Sequence, residues 1–401
     1  VPDMSGRVDG TEHRTAGSSS GAAERPRSTW SDSGLEALTG RSEVPGLGPP
    51  AGLVPGVHAL AASIARDSAR IGQAVDVDPL AVLAARAHFA GLQRSGSVSC
   101  GGSARMLPAA DGWMVISLPR PSDWELVPAW LGMAGAVEAQ NWSPVARLVD
   151  HLAVDELLDR STGLGLPVAQ VGERHSSRRT HRPSTDGMPG FPGVTEQRIG
   201  ASAGAADDMR ELVVADLSAL WAGPLVGAVL AATGAQVIKV ESPWRPDGAR
   251  LGSPQHFASL DVGKVPVSVD LRTVAGRHRL HRIVAESDVV ITSSRHRALE
   301  QLGLDLDELV RAERPRIWVS ITGYGTDPDS EDRVAFGDDA AAAGGLVVWD
   351  DQGPCFCADA VADPLTGLAA AAAVLAALAD GGEHLLVASM ADVAASMVDG
   401  P

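Results

Sequence analysis

Residues 211–241 read ELVVADLSALWAGPLVGAVLAATGAQVIKVE. Two short, nearly all-apolar runs, Val213–Ala215 and Val237–Val240, flank a helix-length segment of small residues. An apolar run without alternation is the mark of a strand buried on both faces, and a helix between two such strands makes a βαβ unit. The pattern continues downstream with VPVSVDL (265–271), SDVVITS (287–293) and PRIWVSITGYG (315–325), mostly separated by helical segments. The expected architecture is therefore α/β, a Rossmann-like parallel sheet covered by helices, with ligands bound beyond the C-terminal ends of the strands. Glu241 ends the second strand where such folds place a ribose-binding acid. The turn, however, has only Gly223 and Gly227 around Pro224, short of the three-glycine spacing of a dinucleotide site.

Upstream, the chain has a different composition. Residues 1–50 are rich in Ser, Gly, Pro, Arg and Glu and predict a disordered tail. VHALAASIARDSARIGQAVDVDPLAVLAARAHFAGL (57–92) predicts two amphipathic helices, the second starting at Asp78-Pro79. A hairpin turning at Asp111-Gly112 and further helices follow, so residues 51–174 form a small α+β domain with its preceding helices. Residues 175–208, aperiodic and rich in Arg, Ser, Pro and Gly, predict a linker, and 209–401 form the large domain.

The 401 residues include 50 acidic and 33 basic ones, a formal charge of -17, which disfavours nucleic acid as a partner. Three cysteines, two of them in Cys355-Phe356-Cys357, give neither a metal-ligand spacing nor a disulfide framework, and a reducing cytoplasm is the expected compartment. The apolar runs are diluted by Gly and Ala, so no membrane span is expected.

One stretch carries two meanings. In CADAVADPLTGLAAAAAVLAAL (357–378), Asp363-Pro364 reads as a helix start with Asp363 as N-cap. A carboxylate at the positive end of a helix dipole is equally a candidate nucleophile. Ser320–Gly325 lacks a nucleophile-elbow pattern and reads as a strand-end loop, His256 as a structural histidine, and Trp221 as packing against the sheet.

Five segments, in order, resemble the class III coenzyme A transferase family, which includes formyl-CoA and carnitine-CoA transferases and α-methylacyl-CoA racemase. They are DLSALWAGPLVGAVLAATGAQVIKVESPWRPDGAR (216–250), GKVPVSVDL (263–271), SDVVITSSRHRALEQLGLDLDEL (287–309), PRIWVSITGYG (315–325) and ADPLTGL (362–368). The resemblance spans about Leu212 to Val398. MLPAADGWMVISL (106–118) and GLPVAQV (165–171) are similar to the family's smaller domain, which here precedes the large one, a permuted order.

The resemblance implies an acyl-CoA:carboxylate CoA transferase with Asp363 as nucleophile and Asp359 as the runner-up. It implies no permanently bound cofactor and no metal; acyl-CoA and a carboxylic acid are the partners, and the chain is a homodimer. Cations for the CoA phosphates would come from Arg250, Arg295, Lys264 and Lys239, and backbone N–H groups opening the 364–378 helix would stabilise the oxyanion. Two alternatives remain. A racemase would need a histidine in VAFGDDAAAAGGL (334–346), where Asp338 or Asp339 would have to substitute, and a silent paralogue would only bind CoA. The family's glycine-rich loop has as counterparts only Gly344-Gly345 and Gly381-Gly382.

Overall fold

The computed structural model describes residues 29–175, 191–198, 204–206, 208–304 and 315–399. Its strands are β1 (Ala104–Ala109), β2 (Gly112–Ser117), β3 (Val168–Gln170), β4 (Val194–Arg198), β5 (Val213–Asp216), β6 (Gln236–Glu241), β7 (Val265–Ser268), β8 (Val289–Thr292), β9 (Ile317–Thr322), β10 (Val347–Asp350), β11 (Gly353–Phe356) and β12 (His384–Ser389). The main sheet runs β4-β12-β9-β8-β5-β6-β7, parallel throughout except for β4, which pairs antiparallel with β12. From β5 the chain winds outward through β6 and β7, then returns to the other side of β5 for β8, β9 and β12. The winding therefore reverses between β5 and β8, and a crevice opens there at the C-terminal ends of both strands.

Two glycines let the first helix, Ala222–Ala232, approach this point closely. A Cβ on Gly223 would lie 2.3 Å from the Ser218 side chain, and one on Gly227 would lie 2.9 Å from Asp216 Oδ2. The glycines that fell short of a dinucleotide signature are thus required by helix-to-strand packing.

The central element is the Ala362–Asp380 helix. By length and composition it could cross a membrane, yet it is a core helix, almost wholly buried. Its alanines favour helix intrinsically and have no bulk beyond Cβ. The Leu53–Arg70 and Ala222–Ala232 helices therefore lie close against it. The first of these presents Leu53, Val57, Leu60 and Ile64, one face at helical spacing.

Three expectations about domain boundaries change here. Leu53–Arg70 and Pro79–Ala90 pack with the large unit's core rather than defining the small domain. The tail expected over 1–50 fails for residues 29–50, where Leu35–Leu38 forms a 3₁₀ turn and Trp30, Leu35 and Leu38 enter the same core. Three apolar contacts spread over nine residues leave no periodicity to detect. Residues 1–28 lie outside the described residues. Of the expected 175–208 linker, residues 194–198 form β4 on the sheet edge, and Phe191 and Val194 are buried; residues 176–190, 199–203 and 207 lie outside the described residues.

β1, β2 and β3 form a small antiparallel sheet. Met114 and Ile116 face a cluster with Trp124, Val127 and Trp130 of the Pro121–Leu131 helix and Trp142 and Val145 of the Trp142–Val149 helix. Val115, on the opposite face by the period-2 rule, joins the main core with Met106 and Ala169. The small unit is thereby fused to the large one through shared packing.

Candidate functional site

Asp363 is the second residue of the Ala362–Asp380 helix, and it does not cap it: the N-cap is Val361, with no side-chain cap hydrogen bond. The Asp363 carboxylate instead accepts from the backbone N–H of Gly337, the first residue of the Gly337–Gly344 helix. A Cβ on Gly337 would lie 2.3 Å from Asp363 Oδ2, so only glycine permits this approach. The oxyanion role expected of the opening N–H groups also fails. Asp363 N–H donates to Ala360 O at 3.0 Å, Leu365 N–H donates to Val361 O at 3.2 Å, and Pro364 has none.

The loop before Asp363 is held in an unusual shape. Ala358 (φ 58°) and Ala360 (φ 45°) both adopt left-handed backbone, which costs a non-glycine residue about 1–3 kcal/mol. Four contacts hold it there. Ala358 N–H donates to Thr39 Oγ1 at 3.0 Å, and Ala360 N–H donates to Asp338 Oδ1 at 2.9 Å. Arg86 Nε donates to Asp359 Oδ2 at 2.8 Å, and its terminal nitrogen donates to Asp359 Oδ1. The Cys100 thiol lies 3.6 Å from Ala358 O. Asp359, fully buried in this bidentate pair, is thus a structural anchor for the loop.

Four carboxyl groups crowd this region: Asp338, Asp339, Asp359 and Asp363. Burial, together with Asp338 and Asp359, pushes Asp363 up to about 7 against the pull of Arg86. Burial and Asp359 push Asp338 up to about 6, and burial raises Asp339 to about 7. Asp363 keeps partial access to solvent, whereas Asp339 and Asp359 have none. One turn beyond Asp363, Gly367 packs against Ala222, where a Cβ would meet its carbonyl oxygen at 2.7 Å. The nucleophile candidate therefore stands beside the first turn of the helix leaving β5, at the crevice.

His256, in the Pro254–Leu260 helix, lies on the neighbouring wall in edge contact with Trp221 at 4.6 Å; the Arg86 guanidinium sits 6.0 Å from the Trp221 ring. The imidazole is buried with no hydrogen-bond partner on either ring nitrogen among the described residues. Burial and Arg86 push it down to about 4, so it is neutral.

The four cations singled out for CoA separate into two pairs. Lys239 is buried and donates to Ser218 O at 2.6 Å, with Asp247 at 3.5 Å and Asp216 at 3.8 Å. Lys264 is buried too, donating to Asp216 Oδ2 and Pro224 O at 2.8 Å each. Burial alone would raise the Asp216 carboxyl, but the two lysines outweigh it and hold it below the ordinary range. Both lysines thus lock the β5 turn and present no free charge to the crevice, a correction to their reading as phosphate ligands. Sequence gave no warning, because an internal lysine and a ligand-binding one at a strand end look alike.

Arg250 and Arg295 occupy the crevice side. Arg250 lies over Phe257 at 4.1 Å, pairs with Glu241, and lines a depression of ≈ 300 Å³ with Pro243, Pro246, Pro266 and Ser268, beyond β6 and β7. Arg295 is exposed just past β8 and has no ion pair among the described residues. β6 and β8 flank β5, so the two strand ends are about 10 Å apart. A larger hollow of ≈ 520 Å³, bounded by Pro49, Pro50, Val347 and Trp349, includes none of the four aspartates. Among the described residues no group of His, Cys, Asp and Glu has the arrangement of a metal site.

The site thus sets a crowded, partly accessible carboxylate beside the point where an α/β sheet reverses its winding, with arginines at the neighbouring strand ends. Residues 209–400 match the model for CoA-transferase family III. The chain is 32% identical over 182 residues to succinyl-CoA–D-citramalate CoA-transferase of Chloroflexus aurantiacus, covering 43% of this chain and 44% of that protein. It is likewise 32% identical over 182 residues to succinate–glutarate CoA-transferase of Agrobacterium fabrum, covering 41% and 45%. Among solved structures, a CaiB/BaiF family protein from Brucella suis is 32% identical, with a TM-score of 0.42, over 47% of this chain and 54% of that one. The chain spans about half the length of the curated relatives it matches. Thr39, Arg86 and Cys100, which hold the Asp363 loop, come from outside the matching segment, and no sequence pattern pointed to them.

Proposed function

We propose that the protein transfers coenzyme A from an acyl thioester to a carboxylic acid through a covalent intermediate on Asp363. The observation that carries this is the carboxylate itself: partly accessible, set against the Gly337 amide, and presented by a strained loop inside the family-matching segment. The steps balance without a cofactor. The Asp363 carboxylate attacks the thioester carbonyl and the C–S bond breaks, giving a mixed anhydride and CoA thiolate. The thiolate attacks the aspartyl carbonyl, releasing the first acid as a carboxylate and leaving an aspartyl-CoA thioester. The acceptor carboxylate attacks the aspartyl thioester, expelling thiolate and forming a second anhydride, and the thiolate then attacks the acceptor's carbonyl, giving the new acyl-CoA and freeing the Asp363 carboxylate. Splitting the exchange in this way matches each leaving group to its nucleophile.

Arg250 and Arg295, at the ends of strands flanking β5, are the proposed contacts for CoA phosphates, with Glu241 exchanging Arg250 to the ligand. The named substrates of the relatives, succinyl-CoA with citramalate or glutarate, make a short dicarboxylic acid the first acceptor to try. The protein acts as a homodimer in the cytoplasm.

The test is a transfer assay with succinyl-CoA and a panel of acids, run on the parent, Asp363→Ala and Asp359→Ala. Loss of turnover confined to Asp363→Ala, with CoA affinity within a few-fold, is expected. Exchange of the acyl α-proton with solvent deuterium in the absence of any transfer would replace this reading with the racemase one.

A further inference from the structure

Asp338 opens the Gly337–Gly344 helix and Arg86 belongs to the Pro79–Ala90 helix, so they approach the Asp363 loop from separate elements. Asp338 takes the N–H of Ala360, and Arg86 clamps the side chain of Asp359. Both contacts fall within the turn in which Ala358 and Ala360 take the left-handed backbone that a non-glycine residue does not adopt unaided. Three residues beyond Ala360 stands Asp363, whose own N–H donates back to Ala360 O. The Ala360 backbone is therefore held on both sides: its N–H donates to the Asp338 carboxylate, and its C=O accepts from the Asp363 backbone N–H.

We propose that Asp338 and Arg86 are positioning residues for Asp363, holding the Ala358–Ala360 turn from two separate helices so that the carboxylate is presented at the crevice. Neither needs to touch substrate. The same two residues bracket Asp363 electrostatically. The charged and titratable groups facing it are Arg86 from the 79–90 helix, Asp338 from the 337–344 helix and Asp359 from its own loop. Asp339 and Cys100 adjoin Asp338, and His256 faces Arg86. Asp338 disfavours ionisation of Asp363 and Arg86 favours it, so the frame that sets position also sets the charge.

The proposal rests on the CoA-transfer reading only in its kinetic arm. Asp338→Asn keeps an acceptor for Ala360 N–H and removes the charge; Asp338→Leu removes both; Arg86→Gln removes the opposing charge. Ionisation of Asp363 is read by infrared titration of the full chain labelled with ¹³C-aspartate, its band assigned by subtraction of Asp363→Asn. Asp338→Asn should lower the Asp363 midpoint by about one pH unit, and Arg86→Gln should raise it by about as much. Hydrogen exchange of the 357–361 amides should quicken by about tenfold in Asp338→Leu and stay near the parent's in Asp338→Asn. In the transfer assay, Asp338→Leu should lose kcat at nearly unchanged KM, with Asp338→Asn restoring it.

If Asp338→Leu does not fold, the Asp338→Asn and Arg86→Gln midpoints still decide. Midpoints and exchange equal to the parent's in every variant would overturn the positioning role, even with transfer intact. Shifted midpoints and faster exchange in a protein that transfers nothing would uphold it, and the transfer reading alone would fall.

Discussion

Asp363→Asn isolates the ionisation of the proposed nucleophile from its packing, because the amide oxygen can still accept from Gly337 N–H. Asp363 stands at about 7, against an ordinary value of 3.8. A carboxyl raised in the folded state keeps a proton that the unfolded chain has already lost, so stability falls as pH rises from about 4 to about 7. At pH 5 this opposes folding by about 2 kcal/mol, and at pH 8, with the native carboxylate forced to ionise, by about 4 kcal/mol. Asn carries no such penalty. The stability of Asp363→Asn relative to the parent should therefore increase by about 2–3 kcal/mol between pH 5 and pH 8. Urea unfolding followed by tryptophan fluorescence at the two pH values measures it. A difference that stays constant, or that narrows towards pH 8, would refute the crowded-carboxylate picture of the site.

Three further outcomes follow from the same packing. Lys264→Met should destabilise by about 3–5 kcal/mol, since it strips buried Asp216 of its nearest cation, whereas Arg250→Ala should change thermal stability little and weaken CoA binding in calorimetric titration. Equal stability losses in the two variants would contradict the separation of internal from crevice cations. Trp30→Ala should cost about 3–5 kcal/mol in the same unfolding assay, because Trp30 belongs to the main core; a neutral result would return residues 29–50 to the role of a tail. His256→Phe should raise the melting temperature, since it removes two buried ring nitrogens that have no partner among the described residues, and a lower one would mean that those nitrogens are satisfied in the folded protein.

The parallel sheet was legible because strands buried on both faces leave nearly continuous apolar runs, and β5, β6, β8 and β9 all carry one, that of β6 interrupted only by Lys239. β10 and β11 were not, since GLVVWDDQGPCFC (345–357) mixes turn residues with short apolar pieces and its hairpin forms against the core. Asp363 was singled out by its place at a helix start and by the resemblance of ADPLTGL to the family, and both signals are local. Its surroundings were not, because Thr39, Arg86 and Cys100 reach it from hundreds of residues away and have no common motif. Asp363-Pro364 invited the cap reading because side-chain caps and helix-start carboxylates have the same local sequence, and only the approach of Gly337 separates them. Lys239 and Lys264 were misplaced for a related reason: their partner Asp216 lies on another strand.

The central claim is that Asp363 forms a covalent bond with the acyl-CoA substrate. The most direct measurement is intact-mass analysis of the full chain incubated with succinyl-CoA and quenched in acid, followed by peptide mapping. The account predicts an added mass of an acyl or CoA group on the peptide carrying Asp363, absent from Asp363→Ala and retained in Asp359→Ala. Transfer activity with no adduct on any peptide, or an adduct that moves to Asp359, would contradict it.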